Sequence, residues 1–171
     1  YAGPRDILRK SDEDMVRLRE AGLKMLYFGL ETGDDALLAR IKKGVTAEEA
    51  VAAGQKVVRC GMKLSMMVIA GLGGKADSER HAVNTGKAVT AIQPNMLSVL
   101  TLRLYKGTEM LRQFEAGEFE LLSPAGLARE VHTMLENVEI RPENHTLFRS
   151  NHISNYVPLA GTLPQDRDRL L

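Results

Sequence analysis

Leu64-Ser65-Met66-Met67-Val68-Ile69-Ala70-Gly71-Leu72-Gly73-Gly74-Lys75 opens as an apolar run, breaks on three glycines and passes into an amphipathic helical pattern. A run without polar alternation suits a strand buried on both faces, as in a parallel sheet flanked by helices. The glycines permit positive φ and close approach of a ligand, at the strand end where such sheets bind their ligands.

The same unit recurs on both sides. Upstream, Met25 to Leu30 reads as a buried strand that ends directly on Glu31-Thr32-Gly33. A helix carrying Leu37, Leu38 and Ile41 follows and stops at Lys43-Gly44, a cationic last turn before a glycine. Thr46 with Glu49 is a capping box, and Ala50, Val51, Gly54, Val57 and Val58 form the inner face of the next helix. Before all of these, Pro4 to Lys10 reads as a lead-in, and Ser11 with Asp14 caps a helix that Gly22 closes. Downstream, Asp77 or Ser78 is expected to cap a helix with Ala82, Thr85, Val89 and Ile92 inward, until Gln93-Pro94-Asn95 breaks it. Met96 to Leu104 is the third expected strand, and Lys106-Gly107-Thr108 turns into a short helix with Leu111 and Phe114. This alternation predicts an α/β fold with parallel strands.

After Gly117 the pattern changes. Ser123 caps a helix with Pro124 at its first position and Leu127, Val131, Met134 and Val138 on one face. Thr146 to Phe148 reads as a short strand, residues 149–156 as a polar loop, and a last helix begins near Pro164. The division is therefore residues 1–116 as βα units and 117–171 as a helical C-terminal extension.

Composition narrows the class. The chain has 171 residues, 44% hydrophobic and 26% charged, enough to bury a core. A net charge of +1 with mixed signs carries no electrostatic footprint for nucleic acid. No apolar stretch approaches the roughly 20 residues of a membrane span and no signal peptide is visible, which reads as cytoplasmic. A single cysteine, Cys60, excludes an internal disulfide or an all-cysteine metal site within the chain. Three parallel strands leave an open edge of the kind proteins cover. A (β/α)₈ barrel takes about 250 residues, so the pattern, starting at Tyr1 without methionine, reads as the C-terminal half of a TIM-type barrel.

Several blocks carry a family resemblance. Tyr27-Phe28-Gly29-Leu30-Glu31-Thr32-Gly33-Asp34, followed by Lys42-Lys43-Gly44-Val45-Thr46, resembles the GLESG and KG-x-T region of radical S-adenosylmethionine (radical SAM) enzymes. Ile69 to Gly74 resembles the family's fifth-strand element, and Thr101 to Leu104 with Lys106-Gly107-Thr108 its sixth strand and following turn. Ser150 to Tyr156 with Leu163-Pro164-Gln165-Asp166 resembles the C-terminal signature of one branch. The resemblance implies a partial (β/α) barrel with S-adenosylmethionine at the strands' carboxyl ends. It also implies a [4Fe–4S] cluster, held by a CxxxCxxC loop that this chain lacks and one cysteine cannot replace. The implied parent generates a 5′-deoxyadenosyl radical that abstracts a substrate hydrogen. The chain itself would hold no metal, bind cofactor weakly or not at all, and need the missing N-terminal half of the barrel as partner.

The resemblance places cofactor contacts at Glu31, Thr32, Ile69, Gly71, Gly73, Gly74, Leu102 and Arg103. A carboxylate such as Glu31 accepts bonds from ribose hydroxyls, yet it also suits the dipole of the helix starting near Asp34. Gly71 and Ile69 match the looser pattern G-x-I-x-G-x-x-E, whereas Met67 replaces its first glycine and Gly74 its glutamate. Arg103, in an otherwise apolar strand, needs a partner or solvent. In the polar loop, Asn151, His152 and Asn155 are the expected small-molecule substrate contacts, with His152 a candidate proton donor or acceptor. The same residue types also hold a loop by bonds to its own backbone. His81, His132 and His145 are expected at the surface or as caps. The competing reading is a cluster-free α/β domain gripping a phosphate or nucleotide at the Gly71–Gly74 turn. Self-association through the open sheet edge is also expected.

Overall fold

The computed structural model describes residues 1–171. Its core is a five-stranded sheet in the order β1 (Met25–Glu31), β2 (Lys63–Ala70), β3 (Met96–Thr101), β4 (Thr146–Arg149) and β5 (Ala160–Leu163). The first four run parallel and β5 returns antiparallel to β4. Eight helices accompany it: α1 (Pro4–Leu8), α2 (Asp12–Glu20), α3 (Asp35–Arg40), α4 (Ala47–Arg59), α5 (Gly74–Ile92), α6 (Glu109–Glu115), α7 (Pro124–Glu136) and α8 (Arg167–Leu170). This is a partial, mostly parallel α/β barrel with added helices, as the sequence pattern predicts.

The helices α4, α5 and α7 pack side by side on one face of the sheet. Strand alternation sorts the residues accordingly. Phe28, Leu30, Leu64, Met66, Val68, Leu97, Val99 and Phe148 point into this helix-covered core and are buried. Their neighbours Tyr27, Met67, Ile69, Ser98 and Leu100 stand on the other face, only partly covered. The expectation of strands buried on both faces therefore holds for one face within this chain. The register aligns Gly29, Met67, Ser98 and Arg149 in one row across that face, and Tyr27, Ser65, Met96 and Leu147 in another. Ser65 is nevertheless almost fully buried among its neighbours.

Capping chemistry sets most boundaries. Ser11 and Thr46 form reciprocal boxes with Asp14 and Glu49, and Ser123 accepts the Gly126 amide beside Pro124. Five expectations change. Residues 4–8, expected as a lead-in, form α1, because Pro4 begins the helix and Ile7 is buried under it. The helix after β2 starts at Gly74, ahead of Asp77 and Ser78, which lie inside its first turns. β3 stops at Thr101, so Leu102 to Leu104 are not strand. The extension is not helical throughout: β4 continues the parallel sheet and β5 covers its edge. α6 buries none of its residues, so Leu111 and Phe114 do not pack as a core face.

Candidate functional site

The carboxyl ends of β1 and β2 carry the least ordinary backbone. Pairing runs in register from Met25↔Lys63 to Gly29↔Met67, then jumps to Glu31↔Val68, a bulge of one residue. Glu31 leaves this bulge at φ 63°, a left-handed conformation that costs an L-residue about 1–2 kcal/mol. The reversal turns its side chain back over the strand. A Cβ on Gly29 would overlap Glu31 Oε1, so only glycine leaves the carboxylate its place. Lys43 Nζ donates to the same oxygen at 2.8 Å. Gly29 alternates with buried Phe28 and Leu30, so the pair lies on the uncovered face, about one-fifth exposed (21% and 23%). Strain held at a strand's carboxyl end is a reason to look there for function. Lys43, read from sequence only as a helix-terminal cation, is thereby a site residue.

Thr32 follows Glu31 but turns inward. It is fully buried; its hydroxyl oxygen accepts the Asp34 amide at 3.0 Å and lies 2.8 Å from His81 Nδ1. His81 Nε2 is 3.0 Å from the Ile69 carbonyl, which only accepts, so Nε2 carries the proton and Nδ1 accepts from Thr32. Burial pushes the imidazole from 6.5 down to about 4, keeping it neutral. The surface role expected of His81 is thus corrected: it sits one turn before buried Thr85 on the inner face of α5, and that four-residue spacing was the available signal. His132 and His145 are exposed, beside Glu136 and Gln165. Asp34 closes this end: burial raises its carboxyl, but bonds from Arg80, the Leu37 amide and Asn84 outweigh that and hold it below the usual range.

Glu130 on α7 was not singled out from sequence. It is buried, accepts the Gly71 amide at 2.5 Å and the Ser78 hydroxyl, and has an oxygen 3.8 Å from His81 Nε2. Burial pushes its carboxyl up, opposed by the bonds from Ser78 and Gly71. Its position between Leu127 and Met134, on the apolar face of α7, was the signal.

The glycine turn is packed on its inner side, while Gly73 and Gly74 line an open cleft of about 350 Å³ with Arg40 and Lys75. Gly71 has φ 84°, and a Cβ there would approach Leu127 Cδ2 to 3.0 Å; Gly73 abuts Asp77, and Gly74 abuts Phe119 and Glu120. The amides of Gly71, Gly74 and Lys75 go to Glu130, the Gly71 carbonyl and the Glu120 carbonyl. These donors are not available to a phosphate. Ile69 pairs with Leu100 on the uncovered face. Leu102 donates its amide to the Ala70 carbonyl at 2.8 Å, and Arg103 reaches solvent.

In the polar loop, Asn155 is a strut. Its amide nitrogen donates to the Val99 and Ser150 carbonyls, both at 2.7 Å, and its oxygen accepts from Thr101 at 2.8 Å. This bond set seats the loop on β3. Ser154 donates its amide to His152 Nδ1 at 3.1 Å, which leaves the exposed His152 ring to present Nε2 outward; Asn151 is exposed beside it. Beneath the loop is an apolar cavity of about 60 Å³ between Ala70, Val99, Leu127 and Tyr156. That is far below the ~300–1,000 Å³ of small-molecule sites.

Nothing here suits an iron–sulfur cluster. Cys60 is buried at the end of α4, at the amino end of the sheet, where burial pushes its thiol up. No cluster of three or more His, Cys, Asp or Glu side chains is placed to hold a metal. No helix is long and apolar enough to cross a membrane.

Comparison with known proteins gives one family match and two similar structures. Residues 3–85 match the model of the Radical SAM superfamily. Among solved structures, Elp3 of the archaeon Methanocaldococcus infernus is similar with a TM-score of 0.69 at 17% identity, over 89% of this chain and 34% of that one. Methylornithine synthase (PylB) is similar with a TM-score of 0.51 at 16% identity, over 97% of this chain and 50% of that one. These likenesses concern the fold, and the chain spans a third to a half of those proteins' length. No curated protein matches it by sequence.

Proposed function

We propose, for a chain whose residues 3–85 carry the radical SAM superfamily sequence, that it forms the part of a radical SAM barrel that grips S-adenosylmethionine at the strand ends. The carrying observation is the Glu31–Lys43 pair, held by a strained backbone on the uncovered face. A carboxylate and an ammonium 2.8 Å apart are complementary to the ammonium and carboxylate of an amino acid, which exchange partners with them on binding. Glu31 alternatively accepts ribose hydroxyls, and Ile69 with Leu102 offers the apolar contact an adenine needs. Gly71, Gly73 and Gly74 shape the turn, and Thr32 fixes the backbone behind Glu31. Arg103, Asn151 and His152 are left at the mouth for a small-molecule substrate, with His152 able to exchange a proton.

When bound in the complete protein, the cofactor and its [4Fe–4S] cluster supply the radical chemistry, and the protein supplies binding and orientation. The residues present here do not fit the cluster, so its ligands come from sequence outside this chain. The complete enzyme is read as cytoplasmic. The phosphate-binding alternative is less favoured because the amides of Gly71, Gly74 and Lys75 already have acceptors.

The test is a titration of the isotope-labelled chain with S-adenosylhomocysteine and, separately, ATP, followed by amide shifts. Weak binding of the first that moves Glu31, Lys43, Ile69 and Leu102 supports the assignment. A response to ATP alone, centred on Gly71 to Gly74, overturns it in favour of a phosphate site.

A further inference from the structure

We propose that Glu130, on α7, is a positioning residue that holds the ends of β1 and β2 in a fixed relation, so that the C-terminal extension is part of the binding site. The inference rests on the reading that a ligand binds at these strand ends. One carboxylate oxygen takes the buried Gly71 amide at the end of β2, and the other takes the Ser78 hydroxyl on α5. One turn along the same helix, His81 donates to the Ile69 carbonyl and accepts from Thr32. Thr32 is bonded directly to Glu31. The route from α7 to the strained carboxylate thus runs Glu130, Ser78 and Gly71, then His81, then Thr32.

The alternatives for these groups are poor. Gly71 lies at positive φ with Leu127 against it, so its amide does not turn to another acceptor. The cavity beside Glu130 is walled by Val68, Ala70, Val99, Val131 and Met134, with His81 the one other titratable lining group. From α5, then, His81 faces Glu130; from the sheet only backbone and apolar groups do. On α7, the charged neighbours Arg129, His132 and Glu136 are exposed. Asp34 acts on His81 from beyond Thr32. A buried carboxylate kept in such surroundings has a bond to make, and both of its oxygens make one.

The experiment uses the labelled 171-residue chain without ligand. Amide shifts of wild type, Glu130→Gln and Glu130→Ala are followed from about pH 8 downward through the carboxylate range, with His81→Asn as the background that removes the imidazole's own titration. The expected result is that Gly71, Thr32 and Glu31 titrate together in wild type, above the ordinary carboxylate range. In Glu130→Gln, which retains an acceptor and the fold, that common titration disappears; in Glu130→Ala, the same three amides shift at every pH. If Glu31 and Thr32 stay in place in both variants while Gly71 alone responds, the coupling is overturned. Should Glu130→Ala fail to fold, the Gln pH series decides. S-adenosylhomocysteine is then added: Glu130→Ala is expected to weaken it about tenfold and Glu130→Gln to stay near wild type. A wild type whose Glu31 ignores that ligand refutes the cofactor assignment and leaves the ligand-free result standing.

Discussion

The Lys43 ammonium lies 2.8 Å from the Glu31 carboxylate, over a glycine whose missing Cβ makes the approach possible. One partner ends β1 in a left-handed conformation and the other follows α3, twelve residues later. The pair is about one-fifth exposed, and ion pairs that solvent still reaches contribute about 0–1 kcal/mol. Its retention under backbone strain points to binding rather than to folding.

Replacing Glu31 separates these two roles. Glu31→Gly and Glu31→Ala both lose the carboxylate, but only glycine tolerates φ 63° without strain. Chemical denaturation should therefore find Glu31→Gly more stable than Glu31→Ala by about 1 kcal/mol. The reverse order would show that the left-handed backbone is not what the residue pays to occupy its place.

Acid should weaken the fold through His81. Its folded pKa of about 4 lies below the unfolded 6.5, so between them the unfolded chain binds the extra proton. Its contribution is complete above 6.5 and falls as pH drops toward 4, by about 3 kcal/mol in all. Glu130 has the opposite sign: its raised value means protonation favours the folded state, so stability on its account rises as pH falls through its window. Urea midpoints measured across this range should fall in wild type, fall more steeply in Glu130→Gln, and flatten in His81→Asn.

Asp34 caps α3 and also takes Arg80 and Asn84 while almost fully buried. Asp34→Ala should cost about 2–4 kcal/mol, the sum of a lost cap and lost charged bonds, and Asp34→Asn less because it keeps the cap. A thermal scan giving equal losses for the two would show that the cap contributes nothing and that the charged Arg80 bond carries the loss.

The uncovered sheet face and the outer edge of β1 should drive self-association. Tyr27 is 41% exposed on that face, its ring centroid 5.2 Å from that of Tyr1. Sedimentation of the chain should show concentration-dependent species, reduced by Tyr27→Lys, which places a charge on the edge. A single monomeric boundary for wild type at all concentrations would count against this.

The sequence by itself determined the elements whose cause is local. Ser11, Thr46 and Ser123 caps, apolar strands β1 to β3 and the glycine stops all follow from side chains acting on their own neighbours, and the order of strand and helix then implied a parallel α/β sheet. Glu31 and Ile69 were legible as strand-end residues for the same reason. Tertiary structure decided what depends on residues far apart in the chain. β5 is four residues with a glycine and no apolar run, and exists because β4 offers it an edge. Gly71 looked like an open ligand cradle until Leu127 and Glu130, more than fifty residues later, closed over it. His81 and Glu130 became interior groups because α5 and α7 pack side by side, burying polar atoms that only long-range partners satisfy.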